Sequence, residues 1–329
     1  MDIIQLKNTI SQLLQPTKGL LAADESTKTI QKRFDALSIE CTEESRLSYR
    51  QMLFTTPKIE EYLSGVILYD ETIRQKINGV SVPQYLENKG IVPGIKVDQG
   101  AVDSPDFPNE KITAGLDGLE KRLLEYKNMG AKFTKWRMVV RIGQGIPTQE
   151  CIEENAQRLV RYVEIVQGMD LVPIIEPEVV RDGSHDLKKC QEVTIKMLKA
   201  VFQRISAASV TLEGLILKTN MVTAGQDNTN QMSLEEVAQA TLDTLVESVP
   251  KEVPGILFLS GGQSSDMATQ NLNAIAKIGG PWELSFSFSR ALQNEPLMKW
   301  NGKEENVKKA QAVFAERGHK VSLARQGKL

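Results

Sequence analysis

Eight short apolar, β-branched runs recur along these 329 residues, each followed by a longer stretch with helical spacing. They lie near 19–25, 65–69, 94–98, 132–140, 171–177, 214–218, 255–260 and 283–288. The runs are close to continuous rather than alternating, which predicts strands covered on both faces. Between them, 148–166 and 186–207 carry apolar residues three and four apart. Ser233 and Glu236 make a capping-box pattern that opens a helix over 234–249, and Pro250 stops it. Strand–helix alternation predicts a parallel sheet, and eight units predict an α/β fold closed into a (β/α)8 barrel. A doubly wound open sheet is the alternative, but no GxGxxG follows the first run. With no composition break, 1–329 reads as a single domain, preceded by an amphipathic helix in MDIIQLKNTISQLLQP.

Charge narrows the function. Forty Lys and Arg against 42 Asp and Glu give a net charge of −2, so no global field favours nucleic acid or an anionic membrane. Any phosphate recognition has to be local. Cys41, Cys151 and Cys190 are widely spaced and odd in number, which suits a reducing compartment. The N-terminal segment lacks the basic start and apolar run of a secretory signal. No stretch approaches the roughly 20 apolar residues of a membrane span. The cytoplasm is the expected location.

Ionisable groups gather where the predicted strands end. Asp24 closes the first run, Lys96 and Asp98 the third, Glu176 and Glu178 the fifth and Lys218 the sixth; Lys135 and Arg137 interrupt the fourth. One charge closing a strand usually marks only the return to solvent. Lys135 is different, because apolar residues continue past it and a charge inside a buried strand needs partners. Active sites of such barrels are built at this end. Several lysines beside carboxylates suit imine chemistry: a lysine amine attacks a ketone, and a carboxylate moves the protons. Spacing alone leaves Lys96, Lys135 and Lys218 open as that amine. Lys218 is favoured because no acid lies one or two positions away to hold it protonated.

Two anion sites follow from the same pattern. Ser260, Gly261 and Gly262 precede a helix start near Ser265, and Ser287, Ser289 and Arg290 end the eighth run beside them. Paired glycines and free helix N–H groups cradle an anion, and loops after the seventh and eighth strands commonly hold phosphate in these barrels. Ser26, Arg33, Lys96 and Arg137 form a second group, and two anion sites flanking an imine-forming lysine fit a bisphosphorylated substrate. Only two histidines, His185 and His319, are present, so a zinc site of several histidines is not expected. A magnesium site from Asp98, Glu176 and Glu178 is disfavoured by the lysines around it.

The segments LAADEST, GVILYDET, GIKVDQG, KWRMVVRIG, PIIEPEV, LILKTNMV, FLSGGQS and SFSFSRALQ closely resemble class I (Schiff-base) fructose-bisphosphate aldolases, in order over about 19–326. The resemblance implies reversible cleavage of fructose 1,6-bisphosphate to dihydroxyacetone phosphate and glyceraldehyde 3-phosphate, with no metal or other cofactor. It implies Lys218 as the Schiff-base lysine, Glu176 as the acid/base for carbinolamine dehydration, and Asp24 with Lys135 as the essential pair beside the reacting carbons. Ser260, Gly261, Gly262, Ser287 and Arg290 match the C1-phosphate site. Arg33, Lys96 and Arg137 match groups on the C6 side, where Ser26 and Arg46 are also expected, and Glu178 matches a neighbour of the catalytic carboxylate. A homotetramer is implied as well. Lys28, Thr29, Thr219 and Phe288-Ser289 depart from the animal pattern, where a glycine stands in place of Ser289. The sequence ends at QGKL, whereas animal members continue into a tail ending in a tyrosine that assists proton transfer at C3; slow C3 proton exchange is the expectation here. The rivals are a transaldolase, which acts on monophosphates, an aldolase preferring sedoheptulose bisphosphate, and a non-catalytic phosphosugar-binding protein.

Overall fold

A computed structural model of the chain describes every residue except Gln231. The eight expected runs are the strands of one closed parallel barrel. In chain order they are β1 Gly19–Ala22, β2 Leu63–Leu68, β3 Val92–Lys96, β4 Phe133–Val140, β5 Val172–Val179, β6 Ile216–Thr219, β7 Gly255–Phe258 and β8 Glu283–Phe288. Neighbours in sequence are neighbours in the barrel, and β8 pairs with β1 to close it. Helices follow every strand, as in a TIM barrel. The capping box is present as read: Ser233 Oγ accepts from the Glu236 N–H, and Glu236 accepts from the Ser233 N–H. Helices Gln149–Gly168 and Leu187–Ser206 are capped by Thr148 and Asp186.

Two departures bear on the site. β1 ends at Ala22, three residues short of the expected limit, because Asp24 and Glu25 take ionic partners instead of a ladder. β5 runs to Val179, so Glu176 and Glu178 are strand residues rather than loop residues. Two small hairpins, pairing Lys76–Ile77 with Val80–Ser81 and Ala101–Asp103 with Lys111–Thr113, were not foreseen.

The barrel interior is divided along its axis. At the N-terminal end, helix α1 (Ile3–Leu13) contributes Leu6, Ile10 and Leu13 to a buried cluster with Leu20, Ile67, Phe133, Ile174, Ile216 and Leu257. Inward positions alternate along each strand, so the face that carries Phe133 next carries Lys135 and Arg137. The face that carries Ile174 next carries Glu176 and Glu178. Apolar filling below thus gives way to a charged layer above.

Candidate active site

Lys135 Nζ lies 2.7 Å from Asp24 Oδ2 and 2.8 Å from Glu176 Oε2, and Lys218 Nζ lies 2.9 Å from Glu176 Oε1. The order Asp24–Lys135–Glu176–Lys218 is a continuous line of alternating carboxyl and amino groups drawn from β4, β5, β6 and the loop after β1. Lys135, Glu176 and Lys218 are at most 4% exposed. This corrects the reason for favouring Lys218: no acid adjoins it in sequence, but Glu176 reaches it from the next strand. Glu176 Oε2, although close to Lys135, has no hydrogen bond aligned on it.

Burial raises the pKa of a carboxyl and lowers that of an amine. Here neighbouring charges win. Burial pushes Asp24 up, but Lys135 and Lys218 beside it hold it well below the usual carboxylate range. Glu176 is treated alike, burial being overcome by Lys135, Lys218 and Arg137. Lys135 is pushed down by burial, yet Asp24, Glu176 and Asp98 raise it above the ordinary lysine value. The buried line is therefore ionised along Asp24, Lys135 and Glu176.

This line floors a cavity of about 1060 Å³ at the C-terminal mouth of the barrel. Ser26, Arg33, Lys96, Arg137, Glu178, Ser260, Gly261, Ser287, Ser289 and Arg290 all line it. After β7, Gly261 and Gly262 take φ of 50° and 82°, a left-handed turn that suits glycine. The helix Ser265–Ile278 begins just beyond, with Ser264 as its cap. Gly262 stands behind the cavity wall, and a Cβ there would lie 3.7 Å from Arg290 Nη2. Ser287 Oγ is buried and has no hydrogen-bond partner among the described residues. Burial, then the charges of Arg33 and Arg137, lower the Arg290 pKa, so three guanidinium groups feel one another across this wall.

On the opposite side each cation already has a carboxylate. Lys96 Nζ is 2.6 Å from Asp98 Oδ1, Arg137 Nε donates to Glu178 at 2.7 Å, and Arg33 Nη1 donates to Glu25 at 2.8 Å. Of the expected binding residues, Gly262 lies just behind the wall and Arg46 is not brought to the cavity at all. Glu71 holds its guanidinium at 2.5 and 2.8 Å, and the Cys41 carbonyl accepts from it at 3.2 Å.

Sequence reasoning missed Glu25, Arg50 and Gln293. Glu25 bridges Arg33 and the fully buried Arg50, and accepts a 2.8 Å hydrogen bond from Ser289 Oγ. Gln293 Nε2 donates to the Ala22 carbonyl and to Ser289 Oγ. Arg50 lies beside Tyr49 and three residues before Leu53 on the buried stripe of helix Glu43–Phe54. An arginine on an apolar stripe was the available signal.

The family profile described as fructose-bisphosphate aldolase class-I matches residues 5–329. A probable fructose-bisphosphate aldolase class 1 of Xanthomonas campestris pv. campestris is 48% identical, over 100% of this chain and 99% of that protein. A fructose-bisphosphate aldolase of Plasmodium falciparum is 48% identical over 98% of this chain and 89% of its own length. A solved structure of fructose-bisphosphate aldolase from Plasmodium falciparum, in complex with TRAP and a small-molecule inhibitor, superposes with a TM-score of 0.97 at 47% identity, covering 99% of this chain and 95% of that one. With a closed eight-stranded barrel, a buried lysine–carboxylate line at its mouth and these relatives, the chain belongs to the class I fructose-bisphosphate aldolase family, whose members cleave a ketose bisphosphate through a lysine Schiff base without a metal.

Proposed function

We propose that Lys218 forms the imine with the C2 ketone of fructose 1,6-bisphosphate and that Glu176 moves the protons of that step. The observation that carries this reading is the position of Glu176, whose two oxygens face two different lysines. Attack by the Lys218 amine gives a carbinolamine, and its hydroxyl leaves as water on receiving a proton. Glu176, a carboxylate 2.9 Å from the nitrogen, is placed to take the proton that the amine loses on attack and hand it to that hydroxyl.

The cationic imine then draws the C3–C4 bonding electrons into an enamine as the C4 hydroxyl gives up its proton to a carboxylate of the Asp24–Lys135–Glu176 line. Glyceraldehyde 3-phosphate leaves, the enamine regains a proton at C3, and water releases dihydroxyacetone phosphate and the free amine. Lys135, held cationic, keeps both carboxylates ionised and oriented between these steps.

Ser260, Gly261, Gly262, Ser287 and Arg290 bind the C1 phosphate in this reading, with Ser289 at its edge. Ser26, Arg33, Lys96 and Arg137 bind the C6 phosphate, and Glu178 sets the orientation of Arg137. Because the C6-side cations are paired with Glu25, Asp98 and Glu178, the incoming phosphate exchanges partners rather than meeting bare charge. No cofactor enters the scheme; among the described residues no group of three His, Cys, Asp or Glu stands together as metal ligands. Family likeness supports a homotetramer acting in the cytoplasm. Among the described residues no helix is long and apolar enough to cross a membrane.

Borohydride trapping with fructose 1,6-bisphosphate in the presence of EDTA, followed by peptide mapping, tests the assignment. A sugar phosphate adduct on Lys218 is expected. An adduct on Lys96 or Lys135 would keep the chemistry and move the nucleophile, and no adduct at all would remove the imine reading.

A further inference from the structure

Arg317 is a buried arginine that none of the proposed steps uses. It projects from the last helix, Val307–Arg325, and is 4% exposed. Its Nη2 donates to the Ser265 carbonyl at 3.0 Å, the Ala291 carbonyl at 3.1 Å and Thr269 Oγ1 at 2.9 Å, while Nε donates to the Ala291 carbonyl at 3.3 Å. Ser265 and Ala291 stand in the first turns of the helices that follow β7 and β8, Ser265–Ile278 and Arg290–Trp300. The first of those turns follows the Gly261–Gly262 loop closely in the chain, and the second begins with Arg290 itself. One planar guanidinium therefore ties together two helix N-termini from separate β/α units.

The same group manages a charge conflict. Asp266, in the first turn after β7, would compete with a bound anion for the helix N-terminus. Arg317 Nη1 lies 3.3 Å from its Oδ1, and Lys320 Nζ lies 2.8 Å from the same oxygen. These cations, Lys320 foremost, hold the Asp266 carboxyl below its ordinary range.

We propose that Arg317 is a positioning residue for phosphate at the ends of β7 and β8. It sets the spacing of the two helix starts so that their N–H groups and Arg290 meet one anion, and it keeps Asp266 neutralised. The inference rests on reading that pocket as the C1-phosphate site. Charge-assisted hydrogen bonds are directional, so a small relaxation of either helix start weakens them together.

The test is Arg317→Met, which keeps the aliphatic stem and removes the guanidinium. Inorganic phosphate is titrated calorimetrically into the full chain, beside Arg290→Ala and the double variant. Phosphate affinity is expected to fall about ten-fold, equivalent to about 1.4 kcal/mol, and KM for fructose 1,6-bisphosphate to rise by a similar factor. The kcat is expected to stay within about two-fold, since uniform binding rather than the chemical step is lost, and the double variant should lose less than the two single losses combined. Unchanged phosphate affinity in folded Arg317→Met overturns the proposal. So does a fall in kcat with KM unmoved, or an additive loss in the double variant. Should Arg317→Met fail to fold, Thr269→Val removes one acceptor of the guanidinium and is expected to weaken phosphate in the same sense; no weakening there is equally decisive against it. Failure of the functional reading is distinguishable, because Lys218 would then go untrapped in the wild type whatever phosphate binding does.

Discussion

Lys135 sits within ion-pair distance of two carboxylates while almost wholly buried, and that placement sets how the site responds to pH. Asp24 is depressed in the folded chain, so the stability it contributes is present above the ordinary aspartate value of about 4 and lost as pH falls through its lower folded value. Lys135 is raised, so its contribution holds below about 10.4 and is lost only as pH rises through the higher folded value. Asp24→Asn leaves a buried ammonium with one carboxylate fewer and is expected to cost about 3 kcal/mol near neutral pH. The difference from wild type should be flat over roughly pH 5–9 and shrink below about 4. Urea unfolding across that range measures it, and a gap that persisted undiminished into acid would contradict the ionised line. At this scale much of the site could be read in advance, because a lysine inside an apolar run has no bland explanation. What stayed hidden were contacts across strands. Lys218 looked free of acids along the chain and meets Glu176 across the barrel; Arg46 looked available and is consumed by Glu71.

The elements were easier to foresee than their ends. All eight strands lie where apolar runs predicted them, since hydrophobic patterning survives without knowledge of partners. The end of β1 did not, because Glu25 turns away to Arg33 and Arg50, residues of helices that follow it. The two hairpins of two- and three-residue strands carry too short a pattern for periodicity to register. Register within the barrel depends on residue size as well. Gly19 opens β1 where an added Cβ would lie 2.6 Å from the ring of the fully buried Phe286, a residue of β8. The closing pair β1–β8 therefore has room for hydrogen and not for methyl. Gly19→Ala is expected to destabilise the fold by about 1–3 kcal/mol through overpacking, with cleavage of fructose 1,6-bisphosphate by the folded chain retained because the substitution lies at the opposite end of the barrel from the mouth. A denaturant midpoint equal to wild type would show that the Phe286 ring can yield.

The whole molecule separates jobs that a single residue or strand cannot. α1 and the apolar interior fill one end of the barrel, so charge can be concentrated at the other without exposing the core. The net charge is only −2, yet Arg33, Lys96, Lys135, Arg137, Lys218 and Arg290 all line one cavity. A dianion arriving at each end of a sugar therefore meets a field made by the mouth rather than by the protein as a whole. Carboxylates pair with most of these cations, so the net attraction is reduced, but the cavity still holds more Lys and Arg than Asp and Glu. Salt should screen it: raising ionic strength from about 0.01 to 0.3 M shortens the screening length from about 30 Å to under 10 Å. The kcat/KM for fructose 1,6-bisphosphate is expected to fall steadily over that range while kcat changes little. Arg33→Ala should flatten the dependence as well as lower kcat/KM, since it removes one of the charges being screened. Steady-state kinetics at constant pH decide the matter. A kcat/KM indifferent to salt would mean that the internal carboxylates already cancel the mouth's field, leaving recognition to hydrogen-bond geometry, for which the proposed phosphate site at Ser260, Gly261 and Gly262 is the candidate.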